Sequence, residues 1–343
     1  MTLLRFSLTP HRRDVMLTLA LSLGCSSPSM ELIHDPSQLV LREDGALTLA
    51  SSGTDGVGLQ VWLLDPETSA LTWSEDLFVD EKPDWASEVQ VWNPTGEFDA
   101  PAMPEEGVLY YTVFDEGDDG VEDVIGRVHW DVDAWVDDGV IVRSQGEGDH
   151  PRAMDPSVFV DLEAQPWMVF GSHAGGVFVA ALSPDTGRLS MQPDEPWCDG
   201  EDDARFTHVA SSGEGAEENT IEAPYIFPHD GWYYLFVNWG ACCRGVDSTY
   251  EIRMGRSESP DGPFRDVDGV DLADGGGTMF LGSQGNQIGP GHAGVVALED
   301  AGSESFLLSY HYYDADDDGI AKLGLRDVTW ASGWPVAGAV VGE

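Results

Sequence analysis

The chain has 343 residues, 42% of them hydrophobic and 10% aromatic, which supplies a sizeable core and excludes global disorder. Acidic residues outnumber basic ones by 62 to 16, for a formal net charge of -46, so phosphate backbones are repelled and nucleic acid is excluded as a partner. A neutral polymer such as a polysaccharide tolerates this field.

In chain order the first element is an export signal. Arg5, Arg12 and Arg13 precede the apolar run "VMLTLALSLG", which is too short to span a bilayer as a helix. The run ends in "LSLGCSSPS", which resembles a bacterial lipoprotein box with Cys25 as the lipidated residue, although Asp14 and Ser22 depart from that pattern. Residues 1–25 are therefore expected to be a signal or lipobox-like segment. The protein would be secreted, or be a cell-envelope lipoprotein that touches a membrane only through an anchor at Cys25.

Residues 26–343 read as one all-β domain. Glycine (40) and proline (20) are plentiful, and no long segment has the 3.6-residue period of an amphipathic helix. One pattern recurs five times: a polar head beside Pro or Gly, an apolar strand, a turn, then an aromatic-rich strand. The heads are Asp35 in "IHDPSQLVL", Asp99 in "FDAPAMPEEGVLYYTVFD", Asp155 in "AMDPSVFVD", Glu222 in "IEAPYIFPHDGWYYLFVNW" and His292 in "GPGHAGVVALED". In the fourth unit, Pro228-His229-Asp230-Gly231 predicts a tight hairpin turn. The heads recur at intervals of roughly 55–70 residues, somewhat longer than a propeller blade of four strands. Five units predict a five-bladed β-propeller, in which the first strand of every blade lines a central channel. Asp-Pro pairs also start turns, because Asp bonds the local backbone and Pro fixes φ. Recurrence once per unit is what a shared axial site demands and a turn does not.

After the export signal three cysteines remain, Cys198, Cys242 and Cys243, without the paired spacing of a zinc site. An oxidising compartment allows one bridge, either Cys198 with one of the other two or Cys242 with Cys243. The run "DADDDG" (314–319) starts like a calcium-binding helix-loop-helix, but Leu325 stands where the closing Glu belongs, so a turn of the last unit is expected.

Converging carboxyl groups are the machinery of glycoside hydrolysis. One, protonated, gives its proton to the leaving oxygen, and another, ionised, draws a proton from water. A third carboxylate beside the acid would raise its pKa by like-charge repulsion.

On "HDPS" (34–37), "AMDPSVFVD" (153–161), "GSHAGGVF" (171–178), "IEAPYIF" (221–227), "FVNWGACCRGVDSTYEIRMGRS" (236–257), "GGGTMFLGSQGNQIGPGHAG" (275–294) and "YHYYDADDDG" (310–319), the chain resembles the family 43 glycoside hydrolases, most closely the endo-1,5-α-L-arabinanases. The resemblance implies an inverting hydrolase of arabinan-type polysaccharide. It gives Asp35 as general base, Asp155 as the aspartate that tunes and orients, and Glu222 as general acid. It also implies that His34, Ser172, His173 and Arg244 meet substrate, and that His292 faces a channel metal ion, usually Ca2+, largely through water. In the second unit, relatives commonly read Phe-Trp-Ala-Pro-Asp where this chain reads Phe98-Asp99-Ala100-Pro101-Ala102. That departure leaves open an exo-acting α-L-arabinofuranosidase, a β-xylosidase of the same fold, or a catalytically silent carbohydrate-binding propeller.

Overall fold

The computed structural model describes residues 33–341 except 42–46, 53–57, 66–69, 78–88, 96–106, 118–119, 132–133, 146–150, 192–203, 214–219 and 301–302. The export segment with Cys25, Asp99 and Cys198 lie outside the described residues. Twenty strands form five four-stranded antiparallel sheets, each built from strands consecutive in the chain. Blade 1 is β1 (Val40–Leu41), β2 (Leu47–Ser52), β3 (Leu59–Leu64) and β4 (Leu71–Leu77). Blade 2 is β5 (Val89–Thr95), β6 (Val108–Gly117), β7 (Gly120–Asp131) and β8 (Ala134–Gln145). Blade 3 is β9 (Ser157–Val160), β10 (Pro166–Phe170), β11 (Val177–Ala181) and β12 (Thr207–Ala210). Blade 4 is β13 (Glu222–His229), β14 (Trp232–Trp239), β15 (Glu251–Ser257) and β16 (Thr278–Leu281). Blade 5 is β17 (Gln287–Asp300), β18 (Ser303–Asp314), β19 (Ile320–Ala331) and β20 (Trp334–Val340). This is the expected five-bladed propeller. Among the described residues no helix is long and apolar enough to cross a membrane.

Local sequence explains the hairpins. His229 pairs with Trp232 across Asp230-Gly231, whose φ values of 50° and 80° both lie in the left-handed region. Two left-handed central residues make the turn whose twist suits a two-residue hairpin, and Asp-Gly reaches it cheaply. In β14, "WYYLFVNW", the six central residues are all buried, because a blade is covered on both faces and needs apolar side chains on both.

The core consists of five clusters, one at each seam between neighbouring blades. Leu59 and Leu77 meet Tyr111 and Val124 between blades 1 and 2. Ile125 and Tyr110 meet Met168 and Phe170 between blades 2 and 3. Val169 and Val179 meet Leu235 and Val237 between blades 3 and 4, and Tyr234 and Phe236 meet Leu308 and Tyr310 between blades 4 and 5. The ring closes where Ile33, Leu39 and Trp62 of the first unit pack on Leu323 and Leu325 of the last. At this closure Ile33 N–H donates to Ala321 O (3.2 Å) and Ser309 Oγ donates to Ser37 O (3.1 Å). Among the described residues no strand is exchanged across it, since both terminal sheets are made of consecutive strands.

Two readings of the sequence are refined. The edge strand β5 of blade 2 lies upstream of Asp99, not after it. In the turn 314–319, Lys322 Nζ sits 2.9 Å from Asp314 Oδ2 and 2.7 Å from Asp317 Oδ2, so an ammonium meets the charges that a calcium loop would present to its ion. The disulfide joins Cys242 to Cys243.

Candidate active site

Four of the five heads carry a break in backbone hand, before the inner strand in the first and third units and within it in the fourth and fifth. Asp35, Asp155, Ala223 and His292 have φ of 47°, 52°, 48° and 59°. This left-handed region is uncommon for residues other than glycine, and aspartate tolerates it better than most. In the first, third and fourth units the left-handed residue precedes a proline, and there Glu222 stands one position earlier than Asp35 and Asp155 do. The repeated feature is thus the left-handed residue, and the acid of the fourth blade is offset by one.

The predicted residues converge. Asp35 Oδ2 accepts from Ser52 Oγ at 2.9 Å and lies 2.8 Å from His34 Nδ1. Its Oδ1 lies 3.5 Å from His292 Nδ1. Asp35 N–H donates to His311 Nδ1 at 3.2 Å, so that nitrogen is an acceptor and the His311 proton is on Nε2. His311 Nε2 is buried without a protein partner, and its ring stacks on His34 at 4.2 Å. Burial works to raise the Asp35 carboxyl, but the hydrogen bond and charge of His34, with His292 and His311, hold it well below the usual range. Burial lowers both His292 and His311 from the ordinary imidazole value.

Glu222 is held on both oxygens. Tyr250 Oη donates to Oε1 at 2.6 Å, Ser172 Oγ donates to Oε2 at 3.0 Å, and His173 Nε2 is 3.0 Å from Oε2. His173 N–H donates to Ile221 O (2.7 Å), which ties the turn 173–175 to the base of Glu222. Asp155, 4% exposed, accepts from Ala223 N–H on Oδ2 (2.9 Å), and its own N–H donates to Thr112 Oγ1 (3.0 Å). Behind it, Arg152 makes two hydrogen bonds with fully buried Asp123 of β7, at 2.7 and 3.0 Å. Arg244 is exposed on the loop after the disulfide, its N–H on Ser248 Oγ (3.1 Å).

One electrostatic expectation is redistributed. The repulsion expected to raise Glu222 falls on Asp155, which burial and the Glu222 charge push well above the carboxylate range. Burial also works to raise Glu222, but His173, Tyr250 and Ser172 outweigh it and bring the group below its ordinary value. On Glu222, the His173, Tyr250 and Ser172 hydrogen bonds outweigh burial, whereas on Asp155 burial and the Glu222 charge outweigh the Ala223 N–H. Asp35 and Glu222 are thus held below their ordinary values, while Asp155 beside Glu222 is raised well above its own.

Tyr250, His311, Tyr313 and Ser52 had been given no role from sequence. The first three lie inside motif stretches already quoted, but a polar aromatic beside or within an apolar strand reads as core. Ser52 and the Asp123–Arg152 pair carry no local signal.

Comparison with known proteins places these residues in context. Residues 59–335 match the family described as Glycosyl hydrolases family 43. The chain is 30% identical over 320 residues to the extracellular endo-alpha-(1->5)-L-arabinanase 1 of Bacillus subtilis (strain 168), covering 90% of this chain and 88% of that one. It is 30% identical over 330 residues to the extracellular exo-alpha-(1->5)-L-arabinofuranosidase ArbA of Cellvibrio japonicus (strain Ueda107), covering 92% and 89%. Among solved structures, the GH43 endo-arabinanase from Bacillus licheniformis superposes with a TM-score of 0.73 at 31% identity, over 89% of this chain and 97% of that one. Cellvibrio cellulosa alpha-L-arabinanase complexed with arabinohexaose gives 0.73 at 27% identity, over 90% and 96%.

Proposed function

Because this chain belongs to the glycosyl hydrolases of family 43, we propose that its substrate is arabinan or an arabino-oligosaccharide, and that it cleaves α-L-arabinofuranosyl linkages with inversion. The observation that carries this reading is the convergence of three carboxyl groups from three different units: Asp35 held by His34 and Ser52, Glu222 held by Ser172 and Tyr250, and Asp155 on the Ala223 N–H beside Glu222, close enough to feel the charge of both others.

In this mechanism Asp35 is the general base. His34 and Ser52 occupy Oδ2, which leaves Oδ1 to take a proton from the attacking water. Glu222 is the general acid, and Asp155, raised well above its ordinary value, is the neighbouring carboxyl that keeps a proton available to it. His173 is 48% exposed at its side chain and is the most easily displaced of the Glu222 donors. A glycan that moves it aside removes a group that keeps Glu222 ionised, so Glu222 takes up a proton more readily as substrate arrives. Asp155 holds that proton in reserve and, through Ala223, fixes the backbone beside the acid. Ser172 and Arg244 complete the substrate contacts proposed here.

The channel donors bear on a metal ion. Calcium takes six to eight oxygen ligands, whereas this cluster offers one carboxylate among His34, His292 and His311, and His311 presents an N–H. A direct calcium cage does not fit. A hydrated ion would fit the same donors, with His292 and Asp35 as the residues that would face it. Such a cation would offset the carboxylate charge in the channel. Chelation followed by calcium addition tests it: unchanged activity throughout excludes the ion.

The relatives named extracellular support export of this chain as well, with lipid attachment at Cys25 as the further step that mass spectrometry of the mature N-terminus decides. The deciding experiment for function is NMR of the first products from linear arabinan, branched arabinan and arabinoxylan. Arabino-oligosaccharides or arabinose with an inverted β anomer are expected from linear arabinan, and loss of activity is expected in a folded Glu222→Ala variant. Release from arabinoxylan alone, or a retained α anomer, overturns the reading. Oligosaccharides against arabinose distinguish endo from exo cleavage.

A further inference from the structure

The loop between β14 and β15 carries a backbone feature that the hydrolytic mechanism above does not use. Its ends are pinched together by Thr249 N–H on Ala241 O (2.9 Å) and Ala241 N–H on Thr249 Oγ1 (3.0 Å). Inside it, Cys243 adopts φ 64°, an uncommon conformation for a residue other than glycine, and is bonded to its own neighbour Cys242. Such a conformation persists when its surroundings over-determine it, and it clusters where it serves a site.

The left-handed turn aims the Cys243 N–H at Tyr313 Oη, 2.7 Å away. Tyr313 is buried on β18 of blade 5, and its Oη is 2.8 Å from His34 Nε2. The other nitrogen of that ring, Nδ1, is 2.8 Å from Asp35 Oδ2. Cys243 Sγ also rests 3.9 Å from His34 Nε2. An unbroken line of hydrogen bonds therefore runs from the disulfide loop of blade 4, through blade 5, to the base carboxylate in the first unit. Each link fixes the next: the amide holds the phenol oxygen, the phenol holds the imidazole edge, and the imidazole holds one oxygen of Asp35.

We propose that the Cys242–Cys243 disulfide is a positioning element for the water-activating Asp35, acting through Tyr313 and His34 and not by touching the glycan. This rests on the assignment of Asp35 as base. Opening the bridge lets Cys243 relax toward ordinary φ, which withdraws its N–H from Tyr313 and loosens the carboxylate. A small displacement of a reacting group lowers the chemical step more than ground-state binding.

The test uses the whole folded protein. Cys243 is exposed, so a water-soluble phosphine reaches the bridge: the phosphine is oxidised by two electrons to its oxide with oxygen from water, and each sulfur gains one electron and one proton. Reduction is expected to lower kcat on linear arabinan about tenfold with KM nearly unchanged, and reoxidation to restore it. The double variant Cys242→Ser, Cys243→Ser should show the same lowered kcat and no response to phosphine, which excludes effects at other cysteines. Tyr313→Phe should lower kcat by itself and abolish the response, because the line is already cut. An unaltered kcat on reduction overturns the proposal, as does a rise in KM alone, the mark of a sugar-contacting surface. A Tyr313→Phe protein as sensitive to phosphine as wild type also overturns it. If the oxidised protein does not hydrolyse arabinan at all, it is the functional assignment that fails, and this proposal with it.

Discussion

Replacing Tyr250 with phenylalanine removes one oxygen and leaves the ring. Tyr250 is 4% exposed and its Oη donates 2.6 Å to Glu222 Oε1. Burial, together with the charges of Glu222 and Asp155, pushes its phenol well above the usual tyrosine range, so it stays a donor throughout the working pH. A hydrogen bond to an ionised group is worth about 1.5–3 kcal/mol, and one to a neutral group about 0.5–1.5 kcal/mol. The difference, about 1–1.5 kcal/mol, is the preference that Tyr250 confers on ionised over protonated Glu222. Without it the protonated acid is favoured by roughly tenfold. Glu222 must be protonated to act, and activity is lost as pH rises through the last ionisation of the Asp155–Glu222 pair. The alkaline limb of the kcat/KM profile on linear arabinan should therefore move to higher pH by about one unit. The acid limb, set by Asp35, should stay in place. An alkaline limb that stays put or moves to lower pH refutes the assignment of Glu222 as acid.

Breaking the Asp123–Arg152 pair with Asp123→Asn leaves a guanidinium without its anion. Loss of one partner of a buried pair costs about 3–5 kcal/mol, and partial exposure of Arg152 reduces that to about 2–3 kcal/mol in urea unfolding. Adding Arg152→Met should recover most of the loss, and simple addition of the two single effects would show that the residues do not interact. With 62 acidic residues against 16 basic ones, surface repulsion is screened by salt, so the thermal midpoint should climb with sodium chloride. Equal midpoints at low and high salt would show that the net charge does not limit stability.

The propeller was legible because its repeat is written in residue types with strong local preferences. Asp230-Gly231 specifies a hairpin by itself, and the heads of the first, third, fourth and fifth units fall before or early in an inner strand. The same marks hid a detail: Glu222 precedes its left-handed neighbour Ala223, whereas Asp35 and Asp155 are left-handed themselves. Matching acid to acid found the cluster but missed the offset, which the longer side chain of glutamate accommodates. The donors around the carboxylates were not legible. Tyr250, His311 and Tyr313 take their roles from neighbours in other blades, and no local pattern distinguishes such a residue from a packed aromatic. The bridge was open between two pairings for the same reason: spacing permits both, and only the path of the loop between β14 and β15 selects Cys242 with Cys243.

The surroundings of Asp35 come from opposite ends of the polypeptide: His34 and Ser52 from the first unit, and His292, His311 and Tyr313 from the last. A nascent chain that has completed four sheets thus owns its base with His34 and Ser52, but not His292, His311 and Tyr313, which complete the surroundings of that base. The finished base site therefore assembles only when the final sheet docks on the first unit.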